Sequence, residues 1–131
     1  MIEKLQAFMD ASPFIHSCGM HIIEADVDRQ RLRIDMPLIA ALERAAGSKQ
    51  FHGGAIASLI DTAGTFALVM LSGKAIPTIN FRTDFLRPAV DTTLRADAQV
   101  RKVGRTVGVV DIDVTDQDGK LLAVGRGTFG T

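Results

Sequence analysis

Between Gly53 and Leu71 the chain runs for 19 residues with a single ionisable side chain, Asp61. Ile56, Leu59, Ile60, Phe66, Leu68, Val69, Met70 and Leu71 would set apolar groups all round a helix formed by this run. A helix without a polar face is either buried in a fold or spans a bilayer. Its length, roughly 28 Å at 1.5 Å per residue, would suffice for a span. Gly53, Gly54, Ser58, Asp61, Thr62, Gly64 and Thr65 argue against one, and no aromatic or basic anchors flank the ends. The segment is expected to be the core helix of a globular fold, wrapped by a curved sheet.

The rest of the chain can supply that sheet. Met1 to Asp10 carries Ile2, Leu5, Phe8 and Met9 at helical spacing, and Ser12-Pro13 closes this short amphipathic helix. His21–Val27 and Arg31–Met36 read as strands around an Asp28-Arg-Gln30 turn, with Leu32, Ile34 and Met36 on one face. Leu38 to Gln50 reads as a loop with some helical character. In Thr78–Leu86, Ile79, Phe81, Thr83 and Phe85 are expected on one side, opposite Asn80, Arg82 and Asp84. Thr93–Val100 turns Leu94, Ala96, Ala98 and Val100 inward, and Thr106–Thr115 sets Val110, Ile112 and Val114 opposite Asp111 and Asp113. Asp116-Gln-Asp-Gly119 is a hairpin turn before Leu121–Phe129, which holds Gly125 and Gly127 mid-strand. The order of helix, two strands, long helix and four strands predicts one α+β domain over residues 1–131 with an antiparallel sheet of about five to six strands.

Composition narrows the function. The 131 residues are 47% hydrophobic and 23% charged, which are globular values. Fifteen basic residues balance fifteen acidic ones, so the positive excess typical of nucleic-acid or anionic-membrane binders is missing. Neither partner is expected. The one cysteine, Cys18, can form no internal disulfide and is read as a small packed residue. His16, His21 and His52 lack metal-ligand spacing, so no metal is expected, and there is no nucleotide fingerprint or Gly-x-Ser-x-Gly elbow. Met1–Asp10 has no signal-peptide pattern, which predicts a soluble, cytoplasmic protein.

Asp61 is the residue that requires a reason. A lone buried carboxylate costs several kcal/mol unless it is paired, hydrogen-bonded or protonated, so Asp61 is either a satisfied structural aspartate or a base or nucleophile in a cleft. Gly53-Gly54 at the helix start is either a tight turn or a place where a substrate meets free N–H groups. His52 beside it reads as a loop or core histidine, or as part of the same site. Seven residues put Gly54 and Asp61 on nearly one helix face but about 10 Å apart along the axis. One carbonyl cannot touch both on one helix. If both act together, they come from two chains whose helices run antiparallel, which predicts a two-fold dimer with two composite sites.

The run Phe51-His52-Gly53-Gly54, with Asp61 nine positions after the histidine, resembles the hotdog-fold acyl-CoA thioesterases of the phenylacetate-degradation type. The likeness extends over nearly the whole chain, including Thr78-Ile-Asn-Phe-Arg-Thr-Asp-Phe-Leu-Arg-Pro88. The resemblance implies a central helix wrapped by the sheet, and dimers joined edge to edge that can pair into tetramers. It implies Asp61 as base or nucleophile, Gly54 as the amide polarising the thioester carbonyl, and His52 as shaping that end of the site. Thr78 falls where relatives place a hydroxyl that positions the water, from the chain supplying Asp61. Many relatives carry Asn or Gln six residues before the histidine; here that position is Ala46, with Gln50 or Glu43 as the nearest substitutes.

A thioester suits such a site, because a thiolate of pKa near 8.5 leaves without a strong general acid. The expected substrate is an acyl-CoA, with coenzyme A as part of the substrate and no separate cofactor. Arg101-Lys102-Val-Gly-Arg105 is a candidate contact for its phosphates, or simply a solvated hairpin turn. Two rivals stand beside hydrolysis. One is a non-catalytic acyl-thioester-binding hotdog protein, which Ala46 favours; the other is a dehydratase or hydratase on the same fold, which Phe51–Gly54 fits poorly.

Overall fold

The computed structural model describes residues Met1–Thr131. The apolar run forms α3 (Gly53–Ser72), and both of its ends follow from local chemistry. His52 caps the start with extended backbone, its imidazole accepting from the Gly54 N–H. Gly73 stops the helix at φ 71°, a left-handed conformation that costs glycine little, and its N–H bonds the Val69 carbonyl. Although α3 is long and apolar enough to cross a bilayer, 67% of its most apolar window is buried inside this fold.

The six strands are β1 (His21–Asp26), β2 (Arg31–Met36), β3 (Thr78–Phe85), β4 (Leu94–Val103), β5 (Val107–Thr115) and β6 (Leu121–Gly130). They make one antiparallel sheet in the order β1-β2-β4-β5-β6-β3. The core helix lies across β2 to β6. The inward faces follow the alternation read from the sequence: Leu32, Ile34 and Met36, then Leu94, Ala96, Ala98 and Val100, then Val110, Ile112 and Val114, all buried in one core. Helix and sheet approach closely because of missing side chains. A Cβ on Gly125 would lie 2.5 Å from Ile60 Cγ2, and one on Gly64 would lie 2.6 Å from the buried Phe129 ring. The β5–β6 turn forms at Asp116–Gly119 as expected, with Gly119 at φ 80° and Asp116 Oδ1 accepting from the Asp118 and Lys120 N–H groups.

The N-terminal helix α1 (Ile2–Asp10) buries Leu5 and Met9 against α3 and β1. Gln6 ties it to the sheet edge, donating to the Met20 carbonyl at 3.0 Å and accepting from the Ile22 N–H at 2.8 Å. Beyond Ser12-Pro13 there is a second helix, α2 (Pro13–Cys18), where only a break was expected. Ser12 and Pro13 do end α1, but they also start α2: Ser12 Oγ accepts from the Ile15 N–H, and proline is well suited to a first helical position.

Strand β3 differs from the others in leaving its apolar side uncovered: Ile79 is 61% exposed, Phe81 38% and Phe85 54%. The strand sits at the end of the sheet, paired only to β6, so its outer edge carries unpaired backbone groups beside an uncovered apolar face.

Candidate active site

The core helix is not apolar all round. Between Gly54 and Met70 the positions left open are Gly54, Ala57, Ser58, Asp61 and Thr65, a stripe of small and polar residues at three- and four-residue spacing. This stripe looks towards the β3 side of the molecule, since Asp61 and Thr65 both meet Thr78 there. Asp61 is accordingly half-buried rather than sealed in the core.

Asp61 and Thr78 are brought together. Thr78 Oγ1 donates to Asp61 Oδ1 at 2.7 Å, and Thr65 Oγ1, bonded to the Asp61 carbonyl at 2.9 Å, stands 3.4 Å from the Thr78 hydroxyl. Asp61 Oδ2 has no partner in the chain, so one carboxylate oxygen is held while the other is free. A bulge between Thr78 and Asn80 makes this possible. Simple alternation would put Thr78 on the face of Asn80 and Arg82. The bulge instead sets it opposite the buried Phe129, on the helix side.

The other end of α3 holds His52, Gly53 and Gly54. His52 Nδ1 accepts from the Gly54 N–H at 2.8 Å. The amide assigned to the thioester carbonyl is thus already engaged. The N–H with no acceptor in this turn is that of Gly53, one residue earlier, and the Phe85 ring stands beside it at van der Waals distance from a Gly53 Cβ position, 3.5 Å. Two clefts flank His52. One, of about 390 Å³, includes Arg44, Gln50, Gly53, Ile56, Phe85 and Arg87 in its lining; the other, of about 310 Å³, is bounded by Phe14, Cys18, Ala41, Leu42, Gly54 and Ser58. Of the two substitutes for the residue missing at Ala46, Gln50 lines the first cleft. Glu43 braces its own loop, accepting from the Gly47 and Lys49 N–H groups.

Arg101, Lys102 and Arg105 lie at the β4–β5 turn, all exposed, away from the His52 end. Arg101 is committed to Asp111 at 3.5 Å, which also binds Arg126. That bond from Arg126 holds the Asp111 carboxyl below the usual range. Cys18 is buried beside the second cleft, and burial pushes its thiol up, away from reactivity.

Against known proteins the sequence and the fold of the chain are familiar. The thioesterase superfamily model matches residues 50–123, more than half of the chain and the whole of α3. The chain belongs to the thioesterase superfamily. Over 136 aligned positions it is 35% identical to a Halobacterium salinarum protein whose esterase name is provisional, covering 95% of this chain and 88% of that one. It is 42% identical over 82 residues to the acyl-coenzyme A thioesterase PaaI of Escherichia coli, covering 62% of this chain and 58% of PaaI. The solved structure of Escherichia coli PaaI, from the phenylacetic acid degradation operon, superposes with a TM-score of 0.84 at 32% identity, covering 98% of this chain and 90% of that one. A crystal structure of another thioesterase-superfamily protein superposes with a TM-score of 0.91 at 31% identity, covering 99% and 97%. The six-stranded sheet around one helix is the hotdog fold.

Proposed function

We propose that the protein hydrolyses acyl-CoA thioesters in a site completed by two copies of the chain, as a homodimer that can pair again. The observation that carries this reading is the placement of complementary groups about two turns apart along one helix. Gly53, with its free N–H, and Asp61, with its free Oδ2, are eight residues apart, or about 12 Å along α3. One thioester cannot bridge them within a chain.

Strand β3 supplies the geometry that joins them. It runs antiparallel to α3, with Thr78 at Asp61 and Phe85 at Gly53. A two-fold axis through the middle of β3 would pair its open edge with its own copy. It would also bring each Gly53–Phe85 end alongside the partner's Asp61 and the partner's Thr78. The same operation covers the exposed Ile79, Phe81 and Phe85 and sets Ala57 and Ser58, the small residues midway along the stripe, at the crossing of the two helices.

In this site the thioester carbonyl accepts from the Gly53 N–H at the positive end of α3, where charge develops on oxygen during attack. His52, tied through Nδ1 to Gly54, holds that turn in shape. The partner's Thr78 holds Oδ1 of the partner's Asp61, and Oδ2 takes a proton from the attacking water. The water oxygen bonds the carbonyl carbon, the C–S bond breaks, and CoA departs as a thiolate that recovers the proton from Asp61. Lys102 and Arg105, which have no carboxylate within 4.0 Å, are available to the phosphates of CoA. The acyl-CoA thioesterase activity named for the Escherichia coli PaaI and mouse acyl-coenzyme A thioesterase 13 relatives supports this substrate class.

The experiment is steady-state hydrolysis across a panel of acyl-CoA esters by wild type and Asp61→Asn. Turnover that disappears in the variant is expected. A wild type that binds but never turns over any member points instead to an acyl-thioester-binding protein, the reading that Ala46 favours.

A further inference from the structure

Seven of the ten arginines have a carboxylate within 4.0 Å; Arg44, Arg87 and Arg105 do not. Two of these three, Arg44 and Arg87, line the same cleft of about 390 Å³, the one that reaches Gly53. No Asp or Glu lines it. Elsewhere, Arg105 apart, this chain pairs its guanidiniums: Asp97 alone serves Arg31 and Arg33, and Asp111 serves Arg101 and Arg126. Two uncompensated guanidiniums converging on one concavity repel each other unless an anion lies between them, and a planar fork of N–H donors fits a carboxylate or phosphate. Arg87 is also anchored, its Nη1 donating to the Leu121 carbonyl at 2.7 Å, which fixes one arm and leaves the others for a ligand.

We propose that Arg44 and Arg87 form an anion-binding subsite for the substrate, one that takes an oxyanion group lying beyond the reacting carbonyl. The inference rests on the acyl-CoA reading above, and it adds the charge of the group bound beside Gly53. Two parts of an acyl-CoA offer that chemistry: a carboxylate at the far end of the acyl chain, or a phosphate of CoA. The opposite cleft, with Phe14, Cys18, Ala41 and Leu42, has no charged lining and suits the neutral remainder of the substrate.

The test is calorimetric binding of thioether analogues, which cannot be hydrolysed. Their affinities are therefore readable whether or not the protein turns over thioesters, while loss of the hydrolase reading is decided separately by Asp61→Asn. The ligands are S-butyl-CoA, S-carboxypropyl-CoA and S-butyl-pantetheine, against wild type, Arg44→Gln and the Arg44→Gln/Arg87→Gln double variant. Arg44 makes no side-chain bond within the chain, so its substitution leaves the fold alone even if Arg87→Gln loosens the Leu121 contact. If the acyl carboxylate is the ligand, wild type prefers S-carboxypropyl-CoA over S-butyl-CoA, and the variants erase that preference by about tenfold or more. If a phosphate is the ligand, the variants weaken S-butyl-CoA by a similar factor and leave S-butyl-pantetheine unchanged. Affinities for all three ligands within twofold of wild type in both variants overturn the proposal.

Discussion

Replacing Gly53 with proline removes one hydrogen-bond donor and little else. Gly53 is the first residue of α3, where proline is favoured and its missing N–H breaks no helix bond. The residue before it, His52, already has φ −63° and ψ 139°, the extended conformation that a following proline requires. A Cβ at Gly53 would meet the Phe85 ring at 3.5 Å, an ordinary contact. Stability should therefore be unchanged or rise by about 0.4–1 kcal/mol through the stiffer unfolded chain. If the Gly53 N–H stabilises the oxyanion, its loss should raise the barrier by about 2.7–4 kcal/mol and lower kcat about 100- to 1,000-fold. Gly54→Ala is the control. Its Cβ would lie 2.9 Å from His52 Nδ1 and must displace the imidazole, which costs about 1 kcal/mol of capping, yet the Gly53 N–H survives. Thioester hydrolysis and thermal unfolding on both variants decide the matter. A Gly53→Pro protein with wild-type melting and kcat within twofold of wild type would refute the assignment.

Two further substitutions probe the frame around the site. Asp97 accepts from Arg31 Nε at 2.8 Å and Arg33 Nε at 3.1 Å across β2 and β4. Burial pushes its pKa up, but the bonds from Arg31 and then Arg33 outweigh it and hold the carboxyl below its ordinary 3.8. Because the folded pKa is depressed, the stability this network adds is complete above 3.8 and is lost as pH falls through the lower folded value. Asp97→Asn should cost about 1–2 kcal/mol at neutral pH, with the gap to wild type closing below pH 3.8 in denaturant titrations; a gap independent of pH contradicts the network. Phe81→Asp, in the middle of the open β3 edge, should dissociate the dimer. With one such side chain from each copy, the loss is about 3–6 kcal/mol, or roughly 150- to 20,000-fold in Kd by sedimentation. A variant that stays dimeric at micromolar concentration places the interface elsewhere.

Much of this molecule is legible in its sequence because single-chain burial dictates it. The apolar run, interrupted by glycines, hydroxyls and one aspartate, favours a core helix over a membrane span, and the alternation in β2, β4 and β5 names the buried faces residue by residue. What the sequence hides depends on other things. The alternation puts Phe81 and Phe85 on one side of β3 but leaves open what covers that side, because the sequence pattern for burial against one's own chain and against a copy is the same. Thr78 reaches Asp61 through a bulge, and a one-residue irregularity leaves no mark in an alternating pattern. The choice between Gly53 and Gly54 turns on where the His52 imidazole points, a matter of rotamer rather than composition. Arg44 and Arg87 lie far apart in sequence, and their lack of carboxylate partners is visible only when every ion pair has been placed. The start of α2 could have been found: Ser12-Pro13 carries a cap and a favoured first residue, but it also reads as a stop.

A mixing experiment with two inactive variants asks most directly whether each catalytic centre is shared between chains. Co-expressed Gly53→Pro and Asp61→Asn chains, each inactive alone, would form mixed dimers with one site carrying neither lesion and one carrying both. With random pairing, about a quarter of the wild-type rate should return. If both groups act within one chain, every site in the mixture keeps a lesion, and a rate no higher than that of the separate variants, with mixed dimers demonstrably formed, contradicts the account.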